Sequence, residues 1–244
     1  MGRKVEIYCG GYYDAHQAAY GGASKIVLSH HQYSGGLTPT IGTLLKIKED
    51  THLEVVCILR NREGGVHYHE DDIECMFLDA EILLDNGADG LAFGFLDEEG
   101  DLDIPLIKEM VELIHSYHKK AYFYQTIDLV NDIDQAMNIL ITIGIDGIYT
   151  TGGQKDLLRG KVMITYLQEA YGEHIQIIAS GSTEKIEVPQ YMDDTGISHI
   201  LCPCIEQQID ATDIYSSEYP VVDWELVEQL VEEVEEDLYE FEVM

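Results

Sequence analysis

One phrase recurs along this chain: a Gly-Ala or Gly-Ile lead-in, a short apolar strand, a polar loop, then an amphipathic helix. The stretch at 87–105, GADGLAFGFLDEEGDLDIP, contains all of it. Its segment 90–95 is apolar and bounded by glycine, as a strand covered on both faces should be. LDEEG supplies turn residues. Asp103 stands two residues before Pro105, where a helix N-cap precedes an early proline. By the same reading, strands are expected at 4–9, 25–29, 53–59, 90–95, 121–124, 147–150, 175–179 and 198–202. Helices are expected at about 13–20, 41–48 (Thr38 or Thr40 as cap), 73–86, 105–118 and 132–142, then one ending near 171 and a short one capped by SGST. An irregular segment then leads to a last helix, 224–238, with Val222, Leu226, Val227, Leu230, Val231 and Val234 on one face.

Eight strands alternating with helices in 244 residues predict one α/β domain, a (β/α)8 TIM barrel spanning 1–244, with an acidic C-terminal helix at about 223–240. A doubly wound sheet would carry a GxGxxG turn after its first strand; here that turn reads CGGYYDAH.

Charge narrows the functional classes. The chain holds 46 acids against 14 bases, a formal net charge of −32, which repels nucleic-acid phosphates. A solvated acidic surface is the plain account of that charge, and cation recruitment the sharper one. No run of eighteen apolar residues exists, so no membrane span is expected. The N-terminus enters a strand without a signal-like apolar region, and Glu6 stands where a myristoylation start carries Ser or Thr. Five cysteines, an odd number, argue against a secreted disulfide framework and for a reduced, cytoplasmic setting.

Barrel chemistry belongs at the C-terminal ends of the strands. Those ends carry Cys9, Ser29-His30-His31, Arg60 and Arg62, Asp97, Tyr124-Gln125, Thr150-Thr151, Ser180-Gly181 and Cys202-Pro203-Cys204, which a closed ring brings to one rim. ASGSTEK presents small residues at a helix start, a phosphate-binding arrangement, and Arg60 with Arg62 would make a fork for an anion. Helix capping by Ser182 or Thr183 and surface Arg–Glu pairing explain the same residues. Cys202 and Cys204, with Cys9 on the neighbouring strand, suit Cu(I) or Zn(II), or are small buried hydrophobes. VHYHEDD offers His67, His69 and three acids, a metal set or simply acids at a helix start. No GxSxG and no Cys/His signature marks a nucleophile.

Several stretches together resemble the CutC family of copper homeostasis proteins: VEIYC near the start, GGLTPTIG at 35–42, ILRNREGGVHY at 58–68, GLAFGFLDEEGDLDIP at 90–105 and YTTGGQ at 149–154. The resemblance covers about 5–204. It implies a single barrel, a cytoplasmic location, a homo-oligomer and a copper-handling role, and it leaves room for a small-molecule enzyme. The departures are specific. The family's EIC reads Glu6-Ile7-Tyr8 and its ELC reads Val27-Leu28-Ser29, so both thiols associated with copper are absent. Its RxGDF has become Arg62, Glu63, Gly64, Gly65 and Val66; its FHR is Phe123-Tyr124-Gln125; its strand-eight His is Leu201. Glu6, Arg60, Arg62, Asp97, Thr150 and Gly152 persist.

A Tyr–Gln pair does not transfer protons near neutrality as His does, because tyrosine titrates near 10. If copper is held, Cys9, Cys202 and Cys204 are the relocated ligands for Cu(I). The alternative is an enzyme or sensor binding a small anionic, phosphorylated metabolite through Glu6, Arg60, Arg62, Thr150, Gly152, Ser180 and Gly181. A third reading is a catalytically silent scaffold.

Overall fold

A computed structural model describes residues 2–30, 35–209 and 218–235. Eight parallel strands close into one ring in chain order: β1 Lys4–Cys9, β2 Lys25–Leu28, β3 Glu54–Ile58, β4 Gly90–Phe93, β5 Lys120–Phe123, β6 Gly147–Thr150, β7 Gln176–Ser180 and β8 His199–Cys202. The ring closes where β1 meets β8, with Lys4 opposite His199 and Ile7 opposite Cys202. Helices α1 Tyr12–Tyr20, α2 Ile41–Asp50, α3 Glu70–Asp85, α4 Ile104–Ser116, α5 Ile133–Ile143, α6 Leu157–Tyr171, α7 Val188–Thr195 and α8 Trp224–Glu235 complete the (β/α)8 barrel. Two expected caps are in place: Thr40 accepts from the Thr43 N–H ahead of α2, and Asp103 from the Leu106 N–H ahead of α4.

The segment after β8, expected to be irregular, contains an antiparallel pair, β9 Ile205–Ile209 with β10 Glu218–Val222. Neither strand alternates: β9 stays almost wholly exposed, and β10 buries two consecutive residues, Val221 and Val222, so there is no period-two pattern to read. On α8, Val227 and Val234 are buried but Leu226 is exposed, outside the apolar face assigned to it. Residues 236–240 of that expected helix, and His31, lie outside the described residues.

Strand alternation sorts side chains into two layers. Val5, Ile7 and Cys9 of β1 face the helices, whereas the ring's interior is filled by Val27, Val56, Ala92, Tyr122, Tyr149 and Ile178, with Tyr8 and Tyr124 against them. Large and small residues interlock there. The Tyr122 ring occupies the space left by its two neighbours: a Cβ on Gly90 would stand 3.0 Å from its Cε2, and one on Gly147 3.1 Å from its Cδ1. The second glycine of each GADG and GIDG lead-in is thus a packing requirement.

The aspartates of those lead-ins brace the opposite end of the barrel. Asp89 accepts the Val55 N–H (2.9 Å) and pairs with Lys48 and Lys119; Asp146 accepts the Ala121 N–H (2.9 Å) and pairs with Lys120 and His115. Burial pushes both carboxyls up, but these partners outweigh it and hold both below the usual carboxylate range.

Candidate functional site

At the C-terminal ends of the strands the barrel opens into a two-lobed hollow. The first lobe, about 430 Å³, is walled by Arg60, Tyr68, Phe93, Asp128 and Leu129. The second, about 440 Å³, is walled by Tyr8, Ser180, Ser182, Thr183, Glu184 and Leu201. Gly35, Tyr124 and Gln125 border both lobes and form the ridge between them. Gln125 Nε2 donates to the Ser180 carbonyl (3.0 Å) and Oγ (3.2 Å), tying the ridge to the end of β7.

Tyrosines floor the hollow. The Tyr149 ring packs against Tyr124 (centroids 5.7 Å) and Tyr122 (5.5 Å). The Tyr8 phenol lies beside Ser29 and Tyr124; burial pushes it up, against the pull of those neighbours and the Arg60 charge. Burial, with Tyr8 adding, lifts Tyr124 well above the ordinary phenol range. Both stay protonated hydrogen-bonding groups at neutral pH. Gly36 lets the loop after β2 reach over this floor: its φ is +83°, and a Cβ there would stand 2.5 Å from the Tyr8 oxygen.

Beneath the floor lies a buried polar knot. Glu6, with no exposed surface, accepts from Tyr149 Oη (2.6 Å), pairs with Lys25 Nζ (3.0 Å) and lies 3.2 Å from His199 Nδ1. Lys25 Nζ also meets Tyr122 Oη at 3.0 Å and Glu54 at 3.5 Å. Burial alone would raise Glu6; the His199 hydrogen bond, the Lys25 charge and the Tyr149 hydroxyl together bring it below the usual carboxylate range. Burial works against the Lys25 charge, but Glu6 and Tyr122 overcome it and its pKa is raised. Glu6, expected among the anion-binding groups, belongs to this knot and lines neither lobe.

The two arginines part company. Arg60 Nη2 donates to the Gly64 carbonyl (2.7 Å) and Nη1 to that of Gly36 (3.5 Å), which orients the guanidinium in the first lobe's wall. Arg62 Nε binds Asp72 Oδ2 (2.7 Å), Nη2 binds the His67 carbonyl (2.8 Å), and its guanidinium lies 5.0 Å from the centre of the Tyr68 ring. The expected fork of two arginines is therefore one: Asp72, in the first turn of α3, draws Arg62 away from the hollow. Asp97 likewise builds its own turn, accepting the N–H groups of Glu99 and Asp101.

Thr150, the last residue of β6, and Gly152 border a loop that already holds an anion, the Asp128 carboxylate from the short 3-10 helix Gln125–Leu129. Asp128 accepts the Thr150 hydroxyl, the Thr151 N–H (2.8 Å) and hydroxyl (2.9 Å), and the Gly153 N–H (2.9 Å). The Gly152 N–H donates to Thr150 Oγ1 (2.9 Å). The loop's donors are thus turned inward. Gly152, at φ +71°, and Gly160 of α6 make the loop's contact with the helix: a Cβ on Gly160 would fall 1.8 Å from the Thr151 carbonyl oxygen. Gly160→Ala is expected to cost about 1–3 kcal/mol, read as a lower urea midpoint at unchanged slope.

Ser180 and Gly181 do face the hollow, in the second lobe. SGST caps no helix, because α7 starts only at Val188, after Glu187; Ser182 and Thr183 line the lobe instead.

The cysteines lie elsewhere. Cys9 and Cys202 are buried behind β1 and β8, in the layer facing the helices, and Cys204 is half-buried just past β8 at φ +43°. Arg60 and Tyr124 reach the common rim as expected; Cys9 and Cys202 do not, because alternation from Glu6 and Tyr8 points Cys9 outward. Burial pushes the Cys9 and Cys202 thiols well up, and the Cys204 thiol to about 12. His67 Nδ1 lies 3.4 Å from the Leu96 carbonyl and Asp72 is bound to Arg62. Among the described residues no three His, Cys, Asp or Glu side chains converge to hold a metal ion.

Sequence reasoning missed Asp128, Gly35 and Glu184. Asp128 lies only four residues beyond Tyr124, so a survey reaching one helical turn past each strand would have found it.

The CutC family profile matches residues 3–204. The chain belongs to the CutC family. A CutC family protein of Treponema denticola is 34% identical over 81% of this chain and 79% of its own length. The copper homeostasis protein cutC homolog of Mus musculus is 30% identical over 76% of this chain and 67% of its own. The solved CutC structure from Streptococcus agalactiae superposes with a TM-score of 0.76 over 82% of this chain and 98% of that one, at 18% identity. The N-acetylmannosamine-6-phosphate 2-epimerase of Clostridium perfringens shares the barrel at a TM-score of 0.57 and 16% identity, over 82% of this chain and 86% of its own. The CutC match ends at Cys204, so β9, β10 and α8 lie beyond it.

Proposed function

We propose that this CutC-family chain takes the copper-homeostasis role its relatives are named for through a small anionic organic molecule bound at the barrel mouth, as an enzyme acting on it or a sensor of it. The observation that carries this reading is the two-lobed hollow itself: Arg60 is the cation in its wall, and no cysteine is among the described residues lining it. The carbonyls of Gly36 and Gly64 are neutral acceptors that orient the guanidinium in the wall. That local charge offsets the long-range repulsion of a chain at −32.

A thermal-shift screen with carboxylated and phosphorylated metabolites tests it. A ligand at a hundred times its Kd adds about 2.7 kcal/mol of stability, and Arg60→Met should abolish that gain. If no anion stabilises the wild-type chain, the reading is wrong.

A second reading places Cu(I) on Cys9, Cys202 and Cys204. The β1–β8 register makes the two strands neighbours, with Ile7 opposite Cys202, and an ion there would have to draw together three thiols that do not converge. Titration of Cu(I) against a chromophoric chelator decides it: identical binding by wild type and the Cys202→Ser/Cys204→Ser variant removes it. A chain that takes neither ligand is the silent scaffold. All five cysteines are unpaired, which suits a reducing, cytoplasmic setting. The exposed Leu158, Val162 and Tyr166 on α6 support a homo-oligomer, measurable by light scattering.

A further inference from the structure

Taking an anion at the mouth as the basis, we infer that the ligand is a hydroxylated carboxylic acid of sugar size, with its carboxylate on Arg60 and its hydroxyls in the second lobe. The charge at the mouth selects a single carboxylate over a phosphate. Arg60 is the one cation among the described lining residues, while Asp128 and Glu184 are carboxylates in the same walls. A phosphate monoester, near −2 at neutral pH, normally needs backbone N–H groups as well as cations. Beside Arg60, in the first lobe, the N–H groups of Thr151 and Gly153 already serve Asp128. A carboxylate carries one charge and matches the planar guanidinium edge. The apolar walls of the first lobe, Val66, Phe93 and Leu129, keep water from that pair and strengthen it.

The second lobe has the complementary chemistry. It has no cation among its described lining residues, and it presents Ser180, Ser182 and Thr183, whose hydroxyls both donate and accept, over the rings of Tyr8 and Tyr124. That is the chemistry that recognises a polyol, not an aliphatic chain. Tyr124 and Gln125 border both lobes, so a molecule touching Arg60 and Ser180 together crosses the Tyr124 ring and passes within reach of the Gln125 amide. Two lobes of about 430 and 440 Å³ admit a six-carbon chain laid across the ridge.

Calorimetric titration of D-gluconate, D-glucuronate, acetate, D-glucose and glucose 6-phosphate into the full chain tests the assignment. A sugar acid is expected to bind about tenfold or more tightly than either acetate or glucose. Arg60→Met should remove acid binding. Ser182→Ala/Thr183→Val, two changes in a loop outside the core, should bring the sugar acids down to the acetate level while leaving acetate unmoved. Sugar acids binding no better than acetate would overturn the inference. Glucose 6-phosphate binding in place of the sugar acids would overturn it too, yet leave the anion reading standing. Binding of no acid and no phosphate would remove both.

Discussion

Lys25→Met is expected to lower folding stability by about 3–5 kcal/mol, the cost of leaving a buried charge without its partner. Lys25 Nζ and Glu6 Oε1 are 3.0 Å apart, with Lys25 almost fully and Glu6 fully out of solvent. Methionine keeps the stem that packs inside the ring and removes only the ammonium. Glu6 would keep Tyr149 and His199 but lose its counter-charge. The defect should depend on pH. In the wild type the Glu6 pKa is lowered, so its contribution is present above the unfolded carboxylate value, about 4.3, and is lost as pH falls through the folded one. In Lys25→Met burial dominates and the carboxyl moves up, so the deficit against wild type should narrow on going from pH 7 toward pH 4. Lys25, with a raised pKa, contributes below its unfolded value and loses that contribution only as pH rises through the folded one. Adding Glu6→Gln to Lys25→Met should recover part of the loss, since the two sites are in contact. Urea unfolding at several pH values measures all of this. A deficit under about 1 kcal/mol, or one flat with pH, would mean that the knot does not hold the barrel together. With the ring closed through β1 and β8, one cooperative transition is expected.

The second large effect is Asp128→Ala, expected to cost about 3 kcal/mol. Its carboxylate receives four donors from Thr150, Thr151 and Gly153. Hydrogen bonds to a charged acceptor contribute about 1.5–3 kcal/mol each, and water at this half-buried site replaces part of what is lost. Asp128→Asn should fall between, since an amide accepts through only one of its two ends. The same variants should speed hydrogen exchange at the Thr151 and Gly153 amides, because their acceptor is gone. Unchanged exchange at those two amides would show that the loop stands without Asp128.

Much of the architecture was legible from local pattern. The lead-in, strand and loop recur with a spacing that a closed ring accommodates, and the caps at Thr40 and Asp103 act over three residues. Such signals are short-range, so they survive without knowledge of the fold. The β9–β10 pair escaped because neither strand alternates between buried and exposed residues. Of the site residues expected from sequence, Arg60, Ser180 and Gly181 line the hollow, whereas Glu6, Arg62, Thr150 and Gly152 serve the scaffold around it.

The amino-acid order alone determined the number of barrel strands, their succession and the glycines that precede them, because periodicity and capping are settled within a few neighbouring residues. Only the tertiary structure decided which way Cys9 faces, which carboxylate takes Arg62 and which acid fills the Thr150–Gly153 loop. The last of those outcomes, like the partners of Glu6, depends on groups brought together by ring closure, with Asp128 and Thr151 23 positions apart and Glu6 and His199 193 apart. A side chain's partner at that separation depends on register and on what else is nearer, and neither is written in the residues flanking it.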